Sequence, residues 1–271
     1  MAETILYAQL LLRAVKVEVR VNDLPIVRTG DEGMKTVARP IREFVQRGKN
    51  QLDLIIEPGL DPARSDTPPA RPLKTGAGVR LRIAEFEDGE FMDFDSGHEL
   101  VKIQSLPESD QQTPIVLSAK FEIDGSPMDD WAWMKAPLLD LDSVRNQLNQ
   151  SMKRITRLFA NKEADKLLQL MKPRMRDDAK AYPAMDLQQR IDNFRHSFAT
   201  IPENWRPLPF DADRAVYRLV ADGRLIEPLD RQGLPLIRTE TTSPEQPFED
   251  PDYVPFPIMV GLRKDRFAIY R

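Results

Sequence analysis

The sequence predicts two domains, an all-β sandwich over residues 1–138 and an α+β domain over residues 143–271. Three observations carry that prediction. Apolar and charged residues alternate at period two through much of the first half, the period changes to three and four near residue 140, and strand patterns return in the tail. A length of 271 residues suits two domains of ordinary size better than one.

In "AVKVEVRV", Val15, Val17, Val19 and Val21 alternate with Lys16, Glu18 and Arg20, which places apolar side chains on one face and charges on the other. Asn22-Asp23 offers a tight turn into "LPIVRT". Leu52, Leu54 and Ile56 are in phase in "QLDLIIEPG", as are Val79, Leu81 and Ile83 in "VRLRI", and Ile115, Leu117, Ala119, Phe121 and Ile123 in "PIVLSAKFEID". Half-buried strands separated by Gly, Pro and Asp turns suggest a sandwich. The stretch "EFEDGEFMDFDSGHE", 85–99, carries seven carboxylates. Asp88-Gly89 within it reads as a two-residue hairpin turn that pairs Phe86 with Phe91 and Glu87 with Glu90. Of two Pro-rich segments, 57–78 reads as either a disordered or a binding loop, with a composition that favours mobility, and 241–257 as the better candidate for an ordered lid, pinned by Phe248, Tyr253 and Phe256.

From Asp142-Ser143, read as the N-cap pair, Val144, Leu148, Met152, Ile155, Leu158 and Phe159 recur at helical spacing. Asn161 either interrupts the helix or re-caps it before "KEADKLLQLMKP", which is expected to stop near Pro173. Leu187, Ile191, Phe194 and Phe198 form the stripe of a later helix. The tail predicts a hairpin around Asp222-Gly223, a strand "LPLIRTE", and a last hairpin turning near Lys264-Asp265.

The chain has no cysteine, which excludes disulfides, thiolate metal sites and a cysteine nucleophile. No apolar run approaches the roughly 20 residues of a membrane helix, and the N-terminal stretch lacks a cationic n-region, so the expected location is cytoplasmic with no membrane partner. Net charge is −4, but residues 85–142 carry fifteen Asp/Glu against three Lys, a net −12. Residues 143–180 carry ten Lys/Arg against four Asp/Glu, a net +6. The basic segment has few aromatics and no nucleic-acid motif, so no nucleic-acid partner is expected.

Candidate chemistry is sparse. The 85–99 stretch fits a calcium loop poorly, because from Asp93 the glycine falls at the fifth place and Gln104 stands at the twelfth. Asp192 and His196 lie four apart on a helix but face away from its apolar stripe, which reads as a solvated pair. P-loop, dinucleotide-binding glycine, G-x-S-x-G and HExxH motifs do not occur. No cofactor, no metal and no catalytic residue is assigned. In "DDWAWMKAP", Trp131 and Trp133 point the same way from an extended strand, where they either seal the domain junction or meet a protein partner. Trp131, Trp133, Tyr253 and Phe256 are therefore the candidate partner contacts.

Residues 143–271 resemble the NTF2-like (SnoaL-like) superfamily. The long helix and short continuation in "RITRLFANKEADKLLQLMKPRM" and the closing hairpin "VGLRKDRFAIYR" carry the likeness. That resemblance implies helices packed on a curved antiparallel sheet around a pocket, with Tyr217, Arg218 and Arg238 from the late strands as candidate lining. The N-terminal "RVNDLPIV" and "REFVQRGKNQLDLIIEPG" resemble galactose-binding-like accessory sandwiches, which implies that Gly48 and Asn50 shape a turn before a core strand. No sugar-contacting residue is matched, and carbohydrate stays a third class of partner. The expected function is non-catalytic protein–protein binding, as an adaptor or immunity-type protein; the alternative is a small-molecule-binding protein or enzyme using the C-terminal pocket.

Overall fold

Twelve strands and four helices make up the described part of the chain. The computed structural model describes residues 4–29, 34–57, 73, 75–87, 89–108, 111, 113–124, 130–201, 205–240 and 254–271. The chain divides into two compact units, Met1–Asp129 and Asp130–Arg271. No helix among the described residues is long and apolar enough to cross a membrane.

The first unit holds β1 (Thr4–Arg13), β2 (Val17–Val21), β3 (Leu24–Thr29), β4 (Met34–Pro40), β5 (Gly48–Ile56), β6 (Gly78–Glu87), β7 (His98–Ser105) and β8 (Ile115–Ile123). They form two antiparallel sheets, ordered β4-β1-β6-β7 and β3-β2-β5-β8. The alternating residues behave as their spacing predicts: Val15, Val17, Val19, Val21, Leu52, Leu54, Ile56, Val79, Leu81 and Ile83 are buried. Charge on the opposite face of β2 is not all solvated. Glu18 is buried and held by Arg20 Nε at 2.5 Å and Arg28 Nε at 2.7 Å, so its cost of desolvation is offset by two guanidinium groups.

Asn22 and Asp23 have φ of 51° and 62°, the left-handed pair of a type I′ hairpin. Gly48 (φ +80°) opens β5, and the buried Asn50 side chain completes that turn. Its Oδ1 accepts from Gln46 N (2.8 Å) and Asn22 Nδ2 (2.8 Å), while its Nδ2 donates to Gln46 O (2.8 Å) and Gly48 O (2.9 Å). All four hydrogen-bonding positions of the amide are used. Asn50→Ala is expected to cost about 1–3 kcal/mol, because it strands buried backbone groups, and urea unfolding followed by circular dichroism measures this.

The acidic stretch departs from the predicted hairpin. The chain does turn at 87–90, with Glu90 N donating to Glu87 O at 3.0 Å, but the next strand begins only at His98. Glu85 pairs with His98, and Phe86 lies opposite Ile5 of β1 rather than Phe91. A wide loop forms because Glu90 binds Glu87 N and Gly97 N with its carboxylate, and Arg82 binds two carbonyls farther on. Asp88 lies outside the described residues.

The second unit holds α1 (Leu141–Ala160), α2 (Ala164–Leu170), α3 (Lys172–Ala181), α4 (Leu187–Ala199), β9 (Ala215–Val220), β10 (Leu225–Asp230), β11 (Val260–Arg263) and β12 (Arg266–Ile269). The strands form one antiparallel sheet, ordered β12-β11-β10-β9. Leu148, Met152, Ile155, Leu158 and Phe159 of α1 join Tyr217, Ile226, Val260, Phe267 and Ile269 of the sheet in one core. The N-cap of α1 is Asp140, whose side chain accepts from Asp142 N, instead of the Asp142-Ser143 pair. α2 stops at Leu170, near Pro173 as expected, and Pro173 stands in the first turn of the next helix, α3, where its missing N–H is no loss. "LPLIRTE" forms only isolated bridges, Leu229 to Pro235 and Arg238 to Pro255, since prolines at both places cannot donate to a ladder. Lys264 and Asp265, with φ of 49° and 62°, turn the last hairpin as expected.

Candidate functional site

A cleft of about 370 Å³ opens in the second unit. Its apolar walls come from Phe159 at the end of α1, Met171 and Met175 around α3, Met185 before α4, Phe194 on α4, the 256–258 segment, and Ile269 of β12. Local sequence places these groups. Pro173 starts α3 so that Met171 and Met175 stand one turn apart, and Met175 N donates to Met171 O at 2.9 Å. Asp186 and Gln189 close a reciprocal capping box that starts α4. Arg190, one residue into that turn, reaches back to Met185 O (2.9 Å) and Tyr182 O (2.5 Å) and fixes the loop that carries Met185.

The polar rim consists of Arg174, Asp178, Arg190 and Asn193. Arg174 Nε lies 3.5 Å from Asp178 Oδ2, and Asn193 Nδ2 donates to Met185 Sδ at 3.3 Å. Phe256 forms one wall and is itself held, with ring centroids 4.9 Å from Phe159 and 5.2 Å from Trp205. No family model matches the sequence. No curated protein and no solved structure gives a significant match either.

The residues singled out from sequence lie mostly elsewhere. Tyr217 is buried in the core, and its hydroxyl donates to Asn149 Oδ1 at 2.6 Å. Burial pushes the phenol well above its ordinary pKa against a weaker opposing effect of Arg145, so it stays protonated. Arg218 pairs with Glu227 at 2.5 Å, and Arg238 pairs with Asp230 at 2.6 Å while donating to Pro235 O. None of the three lines the cleft.

Trp131 and Trp133 are 1% and 5% exposed. The segment is not an extended strand: Trp133–Lys135 is a short 3-10 turn, with Met134 N bonded to Trp131 O at 3.2 Å. The turn brings Ala132 N between the two carboxylate oxygens of Asp177, at 3.0 Å from each, and sets Lys180 over the Trp131 ring at 5.0 Å. Arg224 binds Ala136 O and Gly223 O accepts from Leu139 N, so residues 130–139 are fastened within the second unit. Tyr253 lies outside the described residues, and Phe256 is the one sequence candidate that reaches the cleft.

Both histidines are exposed, and Asp192 is engaged by Gln188 and Arg195. Among the described residues no group of three or more His, Asp or Glu is placed to hold a metal. The methionine wall was missed in the sequence, although one signal was present. Three of the ten methionines fall between 171 and 185, around a proline that opens a helix.

Proposed function

We propose that the chain is a non-catalytic binding protein of adaptor or immunity type, whose second unit receives an apolar segment of a protein partner in the methionine-lined cleft. One observation carries this reading: the walls are apolar, while the rim groups are already engaged inside the protein, Arg190 on two carbonyls and Arg174 on Asp178. Such a cleft binds by removing apolar surface from water, worth about 25 cal/mol per Å². Methionine side chains adapt to partners of differing shape, which suits a peptide or protein segment. The cleft volume also favours a second reading, a small apolar ligand, since ligand cavities begin at roughly 300 Å³.

The finer architecture belongs to the same reading. We take the first unit's two sheets as a β-sandwich, supported by the buried alternate residues of both. We take the second unit as an NTF2-like arrangement, supported by helices that precede an antiparallel sheet and share one core with it. A cytoplasmic location completes the reading.

The test is selection of a displayed random-peptide library on the full chain. Enriched peptides should share an apolar anchor and lose binding to a Met185→Glu variant, which places a charge in the half-buried apolar wall. Selected peptides that bind the variant as tightly as the parent would sink the proposal. A metabolite panel separates the second reading, since a ligand at 100 times its Kd adds about 2.7 kcal/mol of stability.

A further inference from the structure

The loop joining β6 to β7 presents Phe91 and Met92 to solvent, at 79% and 45% exposure. They stand among the exposed carboxylates Glu87, Glu90, Asp93, Asp95 and Glu99. The loop beneath them is held at many points. Arg82, buried in β6, donates to Asp93 O (2.8 Å), Ser96 O (2.6 Å) and Gln9 Oε1 (2.7 Å), and Gln9 Nε2 donates to Asp93 O (3.1 Å). Phe94 lies between the guanidinium groups of Arg80 and Arg82, at 4.7 and 5.2 Å. Ser96 Oγ donates to Phe91 O at 2.5 Å. One phenylalanine of the loop thus anchors it, while the other is held outward on a fixed backbone.

We infer that this apolar tip is a docking knob and that its occupant site is the methionine-lined cleft of a second copy of the chain. The inference rests on the cleft reading above and names its partner. The complement is on the same molecule: the cleft has apolar walls and a rim on which Arg174 and Arg190 outweigh the one carboxylate, Asp178, whereas the knob is apolar and ringed by carboxylates. Opposite charge at the rim steers and orients such an encounter, and removal of the aromatic anchor from water drives it. Knob and cleft are different surfaces, so each contact joins unlike patches of the two copies. Association should therefore rise continuously with concentration and weaken with added salt.

Sedimentation equilibrium on the full chain tests this over a wide concentration range at low and high salt. Concentration-dependent association is expected, and Phe91→Ser should weaken it by about tenfold or more. That position is solvent-exposed, so the variant keeps its fold, which circular dichroism verifies. Met185→Glu should weaken association similarly by setting a carboxylate against the acidic knob. A mixture of the two variants should restore a one-to-one dimer, because one copy keeps the cleft and the other keeps the knob. A parent protein that stays monomeric throughout, association unaffected by Phe91→Ser, or a mixture that stays monomeric would each overturn the inference. If the parent is monomeric while library peptides still require Met185, the cleft reading stands and only the identity of its occupant fails.

Discussion

Replacing Arg271 by Met should destabilise the second unit by about 3–5 kcal/mol at neutral pH. Arg271 Nη2 lies 3.1 Å from Asp177 Oδ2, and the two side chains are 4% and 5% exposed. The Asp177 carboxylate also accepts Ala132 N on both oxygens and so fastens the tryptophan segment to α3. Burial raises the Asp177 pKa, and Arg271 is the leading influence that lowers it again. Without the guanidinium the carboxylate stays desolvated with one backbone N–H for support. The pH dependence follows from the direction of that shift. A carboxyl whose folded pKa is raised contributes stability that is fully present below its unfolded value, near 3.9, and lost as pH rises through the folded value. The shift widens in the variant, so its deficit relative to the parent should shrink as the pH is lowered toward that range. A double variant, Arg271→Met with Asp177→Asn, should recover part of the loss, since the amide oxygen still accepts Ala132 N and no charge is buried. All three tryptophans lie between 130 and 271, so intrinsic fluorescence during urea unfolding reports this unit directly. A deficit that stays constant from pH 8 down to the lowest pH at which both proteins remain folded would contradict the assignment of Asp177 as the strained partner.

Arg82→Met should cost the first unit about 3 kcal/mol and loosen the acidic loop. Arg82 is buried and makes three hydrogen bonds at 2.8 Å or less, two of them to loop carbonyls. Methionine fills similar volume but leaves Gln9 and those carbonyls with fewer donors, and it removes one of the two cations that cover Phe94. Hydrogen exchange gives the local reading: amide protection at Glu90 and Gly97 should fall first, while β5 stays protected. Arg82→Lys should rescue only part of the loss, because one ammonium cannot bind both Gln9 Oε1, which Nε reaches, and the two loop carbonyls, which Nη2 reaches. Full protection of the loop in Arg82→Met would show that the local turn at 87–90 suffices to hold it.

The elements most legible in sequence are those whose apolar residues share one face while polar or charged residues occupy the other. β2, β5 and β6 show period two, and α1 shows the three-and-four spacing, because in each the apolar residues fall on one side. β1 is less legible because its second face carries Ile5, Tyr7, Gln9 and Leu11 where β2 and β6 carry charged residues. Leu6, Ala8, Leu10 and Leu12 fill one side, while Gln9 is buried on the other against Arg82, so "TILYAQLLLR" reads as an apolar run rather than an alternation. The loop after β6 was misread because the glutamate and arginine that widen it act across several residues, whereas a two-residue turn signal is purely local. The cleft lay furthest from sequence reasoning. Its walls run from Phe159 to Ile269, and only the methionine spacing around Pro173 was visible locally. Tyr217, Arg218 and Arg238 looked like pocket residues because they are polar groups in the late strand region, but each is bound to a nearby neighbour instead.

Asn50 carries one more implication, for strand alignment during folding. Its amide engages Asn22 at the tip of the β2–β3 hairpin and Gln46 and Gly48 at the start of β5. A slip of β5 by one residue along β2 would turn Asn50 toward solvent and bring Gln51 inward, together with Asp53 in place of Leu52 or Leu54. The hydrophobic pattern alone penalises that slip, but the amide adds a directional check that is met at one alignment only. A single side chain thus serves as the index mark by which two neighbouring strands find their frame.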